Sequence, residues 1–193
     1  MQNDLPMQNF VIDLLKNKIP ASYFYHNYAH TSYVTDKAIE IGLQENCSQN
    51  ELTLLNVAAL WHDTGFINTY TGHEVESCAL AKKYLPGFGY TDDDIKKITG
   101  MIMATKIPQS PKNKLEAIIA DADLEYLGTI TAAEKANDLF KELQVLTPTF
   151  NEAAWNQMQI SFLQEHHYFT PYCIKNKEQL KNAYLNTLIQ FAE

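Results

Sequence analysis

The chain has 193 residues and a net charge of -8 at neutral pH, and all 15 of its basic residues are lysine. An acidic surface without arginine is poorly suited to following a nucleic-acid backbone, so we expect no nucleic-acid polymer among the partners. The three cysteines, Cys47, Cys78 and Cys173, lack metal-site spacing, and their odd number argues against a disulfide framework.

The length suits one domain that spans residues 1–193 and buries a sizeable core. The longest apolar stretches are short and interrupted, so we expect no segment that spans a bilayer. The first ten residues, MQNDLPMQNF, lack the basic start and apolar run of a signal peptide. With reduced cysteines as well, these features predict a cytoplasmic protein that is not bound to a membrane.

Helix-start signals recur along the chain, whereas strand signals are scarce. Ser48 and Glu51 form a capping box, and Thr91 and Thr131 each open a run with apolar residues at helical spacing. Glycine and proline separate the helical stretches. The predicted helices lie near residues 4–18, 27–44, 49–63, 72–85, 92–105, 113–128, 131–144, 151–167 and 177–192. This order predicts an all-α fold, a single multi-helix bundle of irregular packing.

Polar residues interrupt the apolar faces of three predicted helices. His30 lies on the inward stripe of the second helix, and His62 with Asp63 ends the apolar third helix. Asp121 and Asp123 fall in an otherwise apolar segment, where a rotation of about 100° per residue points them in nearly opposite directions. One of these two aspartates is therefore expected to face the core. Buried carboxylates are unfavourable unless they are paired or bound to a cation.

Two imidazoles and two carboxylates from three helices fit one metal centre. This nitrogen and oxygen ligand set suits a divalent transition ion such as Mn, Fe, Co, Ni or Zn. Taken singly, an inward histidine is more often a packed core residue, and either aspartate could serve as a favourable charge at a helix N-terminus. The joint order of His, His-Asp and Asp along the chain favours the metal centre.

That order resembles the signature of the HD-domain superfamily of metal-dependent phosphohydrolases, over residues of about 25–128. Within this region YHNYAH resembles the YHN-x-x-H run of cyclic-nucleotide phosphodiesterases, and Ala122-Asp123-Leu124 resembles their Ala-Asp-Leu. The short length is more similar to the compact bacterial HD proteins. The resemblance implies an HD-domain bundle that includes the helices of residues 131–193 in the same unit.

The resemblance also implies roles for individual residues. It implies one tightly held divalent ion, with a ligand set that consists of His30, His62, Asp63 and Asp123. Asp123 is favoured over Asp121, which becomes a weaker candidate. By the same resemblance, His26 is the proton donor to the leaving oxygen.

Hydrolysis of a phosphate ester needs further groups beside the ion. Such an ion is a Lewis acid on a phosphoryl oxygen and lowers the pKa of its bound water. Asp63 or Asp123 could take a proton from that water, and His26 could protonate the leaving alkoxide. Lys106, at the end of the fifth predicted helix, is the catalytic candidate for neutralising phosphoryl charge, although the same lysine also suits a solvated helix end.

His73 and Glu74 lie in the region that supplies extra ligands in binuclear members of the superfamily. The alternative is a loop histidine and a first-turn glutamate that the helix dipole favours. A second ion would need another histidine farther on, and residues 91–120 contain none. We therefore expect one ion, with His73 and Glu74 as weaker candidates, and we expect structural roles for His166 and His167.

These features predict a metal-dependent phosphohydrolase, either a phosphatase or a phosphodiesterase, that acts on a small phosphate mono- or diester. A nucleotide is the expected substrate. One alternative is a non-catalytic nucleotide-binding signalling module, which the complete set of candidate ligands disfavours. The other is a di-iron oxygenase of the same superfamily, which the lack of a second-site histidine disfavours.

Overall fold

Every regular element of the computed structural model, which describes residues 5–192, is helical. The nine α-helices of this range are α1 (Leu5–Lys18), α2 (Tyr28–Gln44), α3 (Gln49–Trp61), α4 (His73–Tyr84), α5 (Asp92–Ala104), α6 (Lys114–Asp123), α7 (Ala132–Leu146), α8 (Glu152–Glu165) and α9 (Pro171–Ala192). Short 3₁₀ turns follow α3, α4 and α6, at Thr64–Ile67, Leu85–Phe88 and Glu125–Gly128. The predicted all-α class is confirmed. Within the described range, no helix has the length and apolar character needed to cross a bilayer.

The helix starts follow from side-chain caps. Ser48 and Thr91 form the capping boxes of α3 and α5, with Glu51 and Asp94 as their partners. Asn27 caps α2, because its side-chain oxygen accepts hydrogen bonds from the first-turn amides of that helix. The buried stripe of α2, which includes Val34, Ala38 and Ile41, packs in the core with α3.

Most boundaries differ from the prediction by one or two residues, and three of the differences affect the site or the start of the last helix. The third helix ends at Trp61, so His62 and Asp63 lie in the turn that follows it. The predicted segment 113–128 divides at Leu124 into α6 and a 3₁₀ turn. The last helix begins at Pro171, six residues before the predicted start, because tertiary hydrogen bonds hold its first turn. The predicted first-helix start at residue 4 and both ends of the predicted unit 1–193 lie outside the described residues.

Helix α3 is the centre of the core. Its residues from Leu54 to Trp61 are buried except Asn56, and α2, α5 and α6 pack around it. A helix that is apolar on all sides is stable only when it is covered in this way. Burial contributes about 1.5–3 kcal/mol for each large apolar side chain. The core therefore holds the end of α3, and with it His62 and Asp63, in a fixed place.

Helices α7, α8 and α9 form a second layer beside the 3₁₀ turn Glu125–Gly128. The rings of Phe140 and Trp155 stack at 5.8 Å between α7 and α8. Helix α9 packs closely on the turn, since a Cβ added to Gly128 would lie 2.6 Å from the carbonyl oxygen of Lys177. This layer faces the ends of α2 and α6 and encloses a cavity there.

Candidate metal centre and active site

His30 lies in the first turn of α2 and is buried. Its Nε2 atom lies 3.1 Å from Oδ1 of Asp123 and 3.4 Å from Oδ2 of Asp63. The Tyr25 ring packs on the imidazole with ring centroids 4.6 Å apart. The cap at Asn27 and the contact with Tyr25 thus direct His30 towards two carboxylates from other elements.

His62 is fully buried directly after α3. Its Nδ1 atom donates a hydrogen bond to the carbonyl oxygen of Ala59, at 2.7 Å. Because a carbonyl can only accept, this bond places the Nδ1 proton and leaves the Nε2 lone pair exposed to the cluster. Nε2 lies 3.2 Å from Oδ2 of Asp63 and 3.5 Å from Oδ1 of Asp123.

The ligand atoms of His30, His62 and Asp123 all lie within 4.8 Å of one another. Two buried atoms of this cluster, His62 Nε2 and Asp63 Oδ2, have no hydrogen-bond partner among the described residues. Atoms that bind one ion at about 2.0–2.2 Å are separated by about 3.0–3.5 Å when adjacent. The nitrogen–oxygen separations of the cluster match that spacing, so the residues fit a divalent cation.

Opposite charges couple the members of the cluster. Burial opposes ionisation of Asp63 and Asp123, but the facing imidazoles of His62 and His30 outweigh it and hold the pKa of both carboxyl groups below its usual range. Burial opposes the protonation of His62, yet the carboxylates outweigh it and raise the pKa of this imidazole. A proton and a divalent cation would therefore compete for the same electronegative position.

Asp121, the weaker candidate for the aspartate ligand, has a different environment. Its two oxygens accept hydrogen bonds from the amides of Phe169 and Thr170, at 2.9 and 2.8 Å, and from the Thr170 hydroxyl at 2.6 Å. Thr170 in turn accepts a hydrogen bond from the amide of Cys173 in the first turn of α9. Asp121 therefore anchors the start of α9, and Asp123 is the aspartate that the structure brings to the histidines.

His26 lies two residues ahead of α2, outside the helix that carries His30. Their rings are nevertheless 6.0 Å apart. The His26 ring stacks on Phe66 at 4.2 Å, and its Nδ1 atom makes a very short contact with Oε1 of Glu142. Tertiary contacts, and not helix geometry, hold His26 beside the cluster.

Glu142 of α7 is a site residue that the sequence analysis did not identify. Its fully buried carboxylate accepts hydrogen bonds from the amides of Tyr25 and His26, at 2.9 and 3.0 Å, and from the Tyr70 hydroxyl at 3.0 Å. Burial alone would raise the pKa of Glu142, but the hydrogen bond with His26 and the two amides outweigh it and lower the pKa. A carboxylate at this place directs the Nδ1 proton of His26 towards itself. The sequence contains one signal for a buried role of Glu142, which is its position on the apolar stripe of α7 near Leu139.

His73 and Glu74 begin α4 beside the cluster. His73 donates its Nδ1 proton to the carbonyl of Tyr70 at 3.1 Å, and its Nε2 lies 3.6 Å from Oδ1 of Asp63 and 3.7 Å from Oε1 of Glu74. A Cβ on Gly65 would lie 2.0 Å from the carbonyl oxygen of His73, so only glycine permits this close approach. The Oδ1 atom of Asp63 faces His73, whereas its Oδ2 atom faces His30 and His62.

A cavity of about 630 Å³ extends from these groups to the second layer. Its polar end includes His26, Asp63, His73, Glu74 and Asp123. Lys106 is exposed, and it is the only lysine among the described residues that line the cavity. The other end is formed by side chains of α7, α8 and α9. The volume is sufficient for a small organic molecule.

No protein-family model matches the sequence, and no curated protein matches it. Two solved structures are similar in fold. A predicted HD superfamily hydrolase from an uncultured Thermotogales bacterium has a TM-score of 0.63 and 19% identity, over 95% of this chain and 90% of that chain. Bacillus subtilis YpgQ, solved in complex with ADP, has a TM-score of 0.66 and 18% identity, over 96% of this chain and 92% of that chain. The expected HD-domain fold is confirmed.

Proposed function

We propose that this protein is a metal-dependent phosphohydrolase of small phosphate esters. The observation that carries the proposal is the convergence of His30, His62, Asp63 and Asp123, with two buried cluster atoms that lack a partner. Buried polar atoms without partners are rare in proteins, and a cation would satisfy both at once. The fold that the chain shares with a predicted HD superfamily hydrolase supports this reading.

The four residues would hold one divalent ion of Mn, Fe, Co, Ni or Zn. When bound, the ion supplies Lewis acidity to a phosphoryl oxygen and acidity to a water molecule. Asp63 is placed to accept the proton of the attacking water, because its Oδ1 atom faces away from His62 and towards His73 and the cavity. Lys106 lines the same cavity and would contribute positive charge to neutralise phosphoryl oxygens.

His26 would donate a proton to the leaving oxygen. The Glu142 carboxylate holds the Nδ1 proton, so the Nε2 edge of the ring is the one that can serve a substrate. The Glu142 carboxylate also fixes the orientation of the ring, as a general acid needs. Glu142 is therefore a positioning residue, and His26 is the residue that contacts the substrate.

A nucleotide is the substrate that we favour. A cavity of about 630 Å³ has room for one, and the similar structure of YpgQ was solved in complex with ADP. The test is metal analysis of the purified protein, followed by turnover of nucleotide mono-, di- and cyclic phosphates with added Mn, Co, Ni and Mg. We expect about one ion per chain and metal-dependent release of phosphate or of a monoester. Nucleotide binding without turnover would identify a signalling module instead, and two irons per chain with no hydrolysis would identify an oxygenase.

A further inference from the structure

The end of the cavity that α7, α8 and α9 form differs in chemistry from the polar end. Its wall consists of Ala136, Leu139 and Leu143 from α7, Trp155, Met158, Gln159, Phe162 and Leu163 from α8, and Tyr184 from α9. No charged side chain lies among these described lining residues. A second phosphate or a carboxylate would have no partner there, so the ligand group at this end must be uncharged.

Three of the nine side chains of this wall are aromatic, namely Trp155, Phe162 and Tyr184. Trp155 is held in place by its stack on Phe140, with ring planes only 13° apart, and Phe162 lies two helical turns farther along the same face of α8. Rigid rings in a cavity bind other flat rings by offset or edge-to-face packing. The shape and chemistry of the wall therefore favour an aromatic ring over a flexible polyol.

Gln159 adds one directional polar group to this wall. It is largely buried, and its Oε1 atom accepts a hydrogen bond from the Tyr184 hydroxyl at 2.6 Å. Its Nε2 atom donates to Oδ1 of Asn156 at 3.3 Å, and an amide nitrogen carries two protons. The second proton can serve a ligand acceptor, so the wall offers one donor within an apolar surface.

From these features we infer that the α7–α9 end of the cavity is a binding subsite for an uncharged aromatic ring of the substrate. The ring would pack on Trp155 and Phe162 and place a hydrogen-bond acceptor towards Gln159. This inference rests on the proposed function only in naming the ring as part of the substrate. A nucleobase and a simple aryl group share this chemistry, and the experiment below distinguishes them.

The chain has two tryptophans, Trp61 and Trp155, which provide a site probe and an internal control. Trp61 is fully buried in α3 and does not line the cavity. In a nitrogen-15 NMR spectrum of the full-length, metal-loaded protein, the two indole N–H signals can be assigned with Trp155→Phe. Adenosine, 2-naphthol and glycerol are then titrated separately. All three lack phosphate, so binding is measured without turnover.

We expect adenosine or 2-naphthol to shift the Trp155 signal, with Trp61 unchanged and glycerol without effect. A response to adenosine alone would identify a nucleobase subsite, and a response to 2-naphthol alone would identify an aryl subsite. No response to either at about 10 mM, a concentration at which even a weak complex is populated, would overturn the inference.

Two matched variants test the location of the subsite. Met158 on α8 lines the cavity and is 49% exposed, whereas Val145 on α7 is 51% exposed and does not line it. Met158→Lys should weaken ring binding roughly 3- to 10-fold, because a charge enters an apolar wall. Val145→Lys should bind as the unmodified protein does. Phe162→Leu, which keeps an apolar side chain, should weaken binding roughly 2- to 10-fold. Equal affinities of all three variants would place the ring elsewhere and overturn the inference.

Different results would refute the phosphohydrolase proposal and the subsite proposal. Ring binding without hydrolysis of any phosphate ester would leave the subsite standing and refute the phosphohydrolase. Hydrolysis with equal kcat/KM on glycerol phosphate, naphthyl phosphate and a nucleoside monophosphate would refute the subsite and leave the phosphohydrolase standing.

Discussion

Asp121 and Asp123 lie two residues apart near the end of α6, and their carboxylates have opposite environments. Asp121 receives three hydrogen bonds from Phe169 and Thr170. Asp123 faces two imidazoles, in a cluster where other buried atoms lack partners. Complete hydrogen bonding marks a residue that holds the fold, whereas buried groups without partners mark a place for a ligand. Substitutions in the two regions should therefore affect different properties.

The largest effect is expected at the cluster. Asp123→Asn removes an anionic ligand, so bound metal should fall below about 0.1 ion per chain and turnover should fall by about 10³-fold or more. The thermal midpoint of the metal-free protein should change little. Metal analysis measures the bound ion, and phosphate release measures turnover. Retention of a full equivalent of metal with normal turnover would remove Asp123 from the site.

His26→Ala should give the next largest effect. We expect turnover of a poor leaving group, such as a ribose alkoxide, to fall roughly 10²–10⁴-fold, because no proton is delivered to the leaving oxygen. A nitrophenyl ester leaves without a proton, so its hydrolysis should fall far less. Metal content should stay the same. If both esters lose activity equally, His26 is not the general acid.

Glu142→Gln should reproduce this substrate pattern in weaker form. The neutral amide accepts a weaker hydrogen bond from Nδ1 of His26 and orients the ring less firmly, so we expect a loss of roughly 10–10²-fold on the poor leaving group and a smaller loss on the nitrophenyl ester. A purely structural role would reduce both activities in proportion to the folded fraction. Comparison of the two esters, with the folded fraction measured by circular dichroism, decides between these roles.

Asp121→Asn should leave metal content and substrate preference unchanged. It replaces an acceptor oxygen with an N–H₂ group that faces the donors of Phe169 and Thr170. We expect the free energy of unfolding to fall by about 1–3 kcal/mol, as for other buried donors without an acceptor. Urea denaturation measures this loss. If metal is lost at full stability instead, the contrast between the two aspartates fails.

The smallest effect is expected from pH. The carboxylates raise the pKa of His62, so in the metal-free protein this imidazole keeps its proton to higher pH than an ordinary histidine. Metal must displace that proton, and its affinity should rise by at most about tenfold per pH unit until the raised pKa is passed. Titration calorimetry in buffers of different ionisation enthalpy counts the released protons. Affinity that is independent of pH would mean that His62 is already neutral.

Much of this architecture follows from local sequence. The caps at Ser48 and Thr91 and the apolar spacing of α3 are local properties, since they depend on residues within a turn or two of one another. The inward positions of His30 and His62 follow from the same periodicity, and that of Asp63 from its place directly after His62. The choice between Asp121 and Asp123 came from a family resemblance and not from periodicity, which left both open.

Only the tertiary structure decided the remaining features. Asp121 of α6 anchors the start of α9 through Thr170, which lies 49 residues away in the sequence. Glu142 contacts His26, which lies 116 residues away. No local pattern encodes such separations, because they arise when whole helices pack. The start of α9 at Pro171 and the apolar end of the cavity also arise from the packing of whole helices. The sequence by itself determined that His30 and His62 face inward, and the packing of α6, α7 and α9 determined which side chains meet, because helical periodicity orients a residue but does not select its partner.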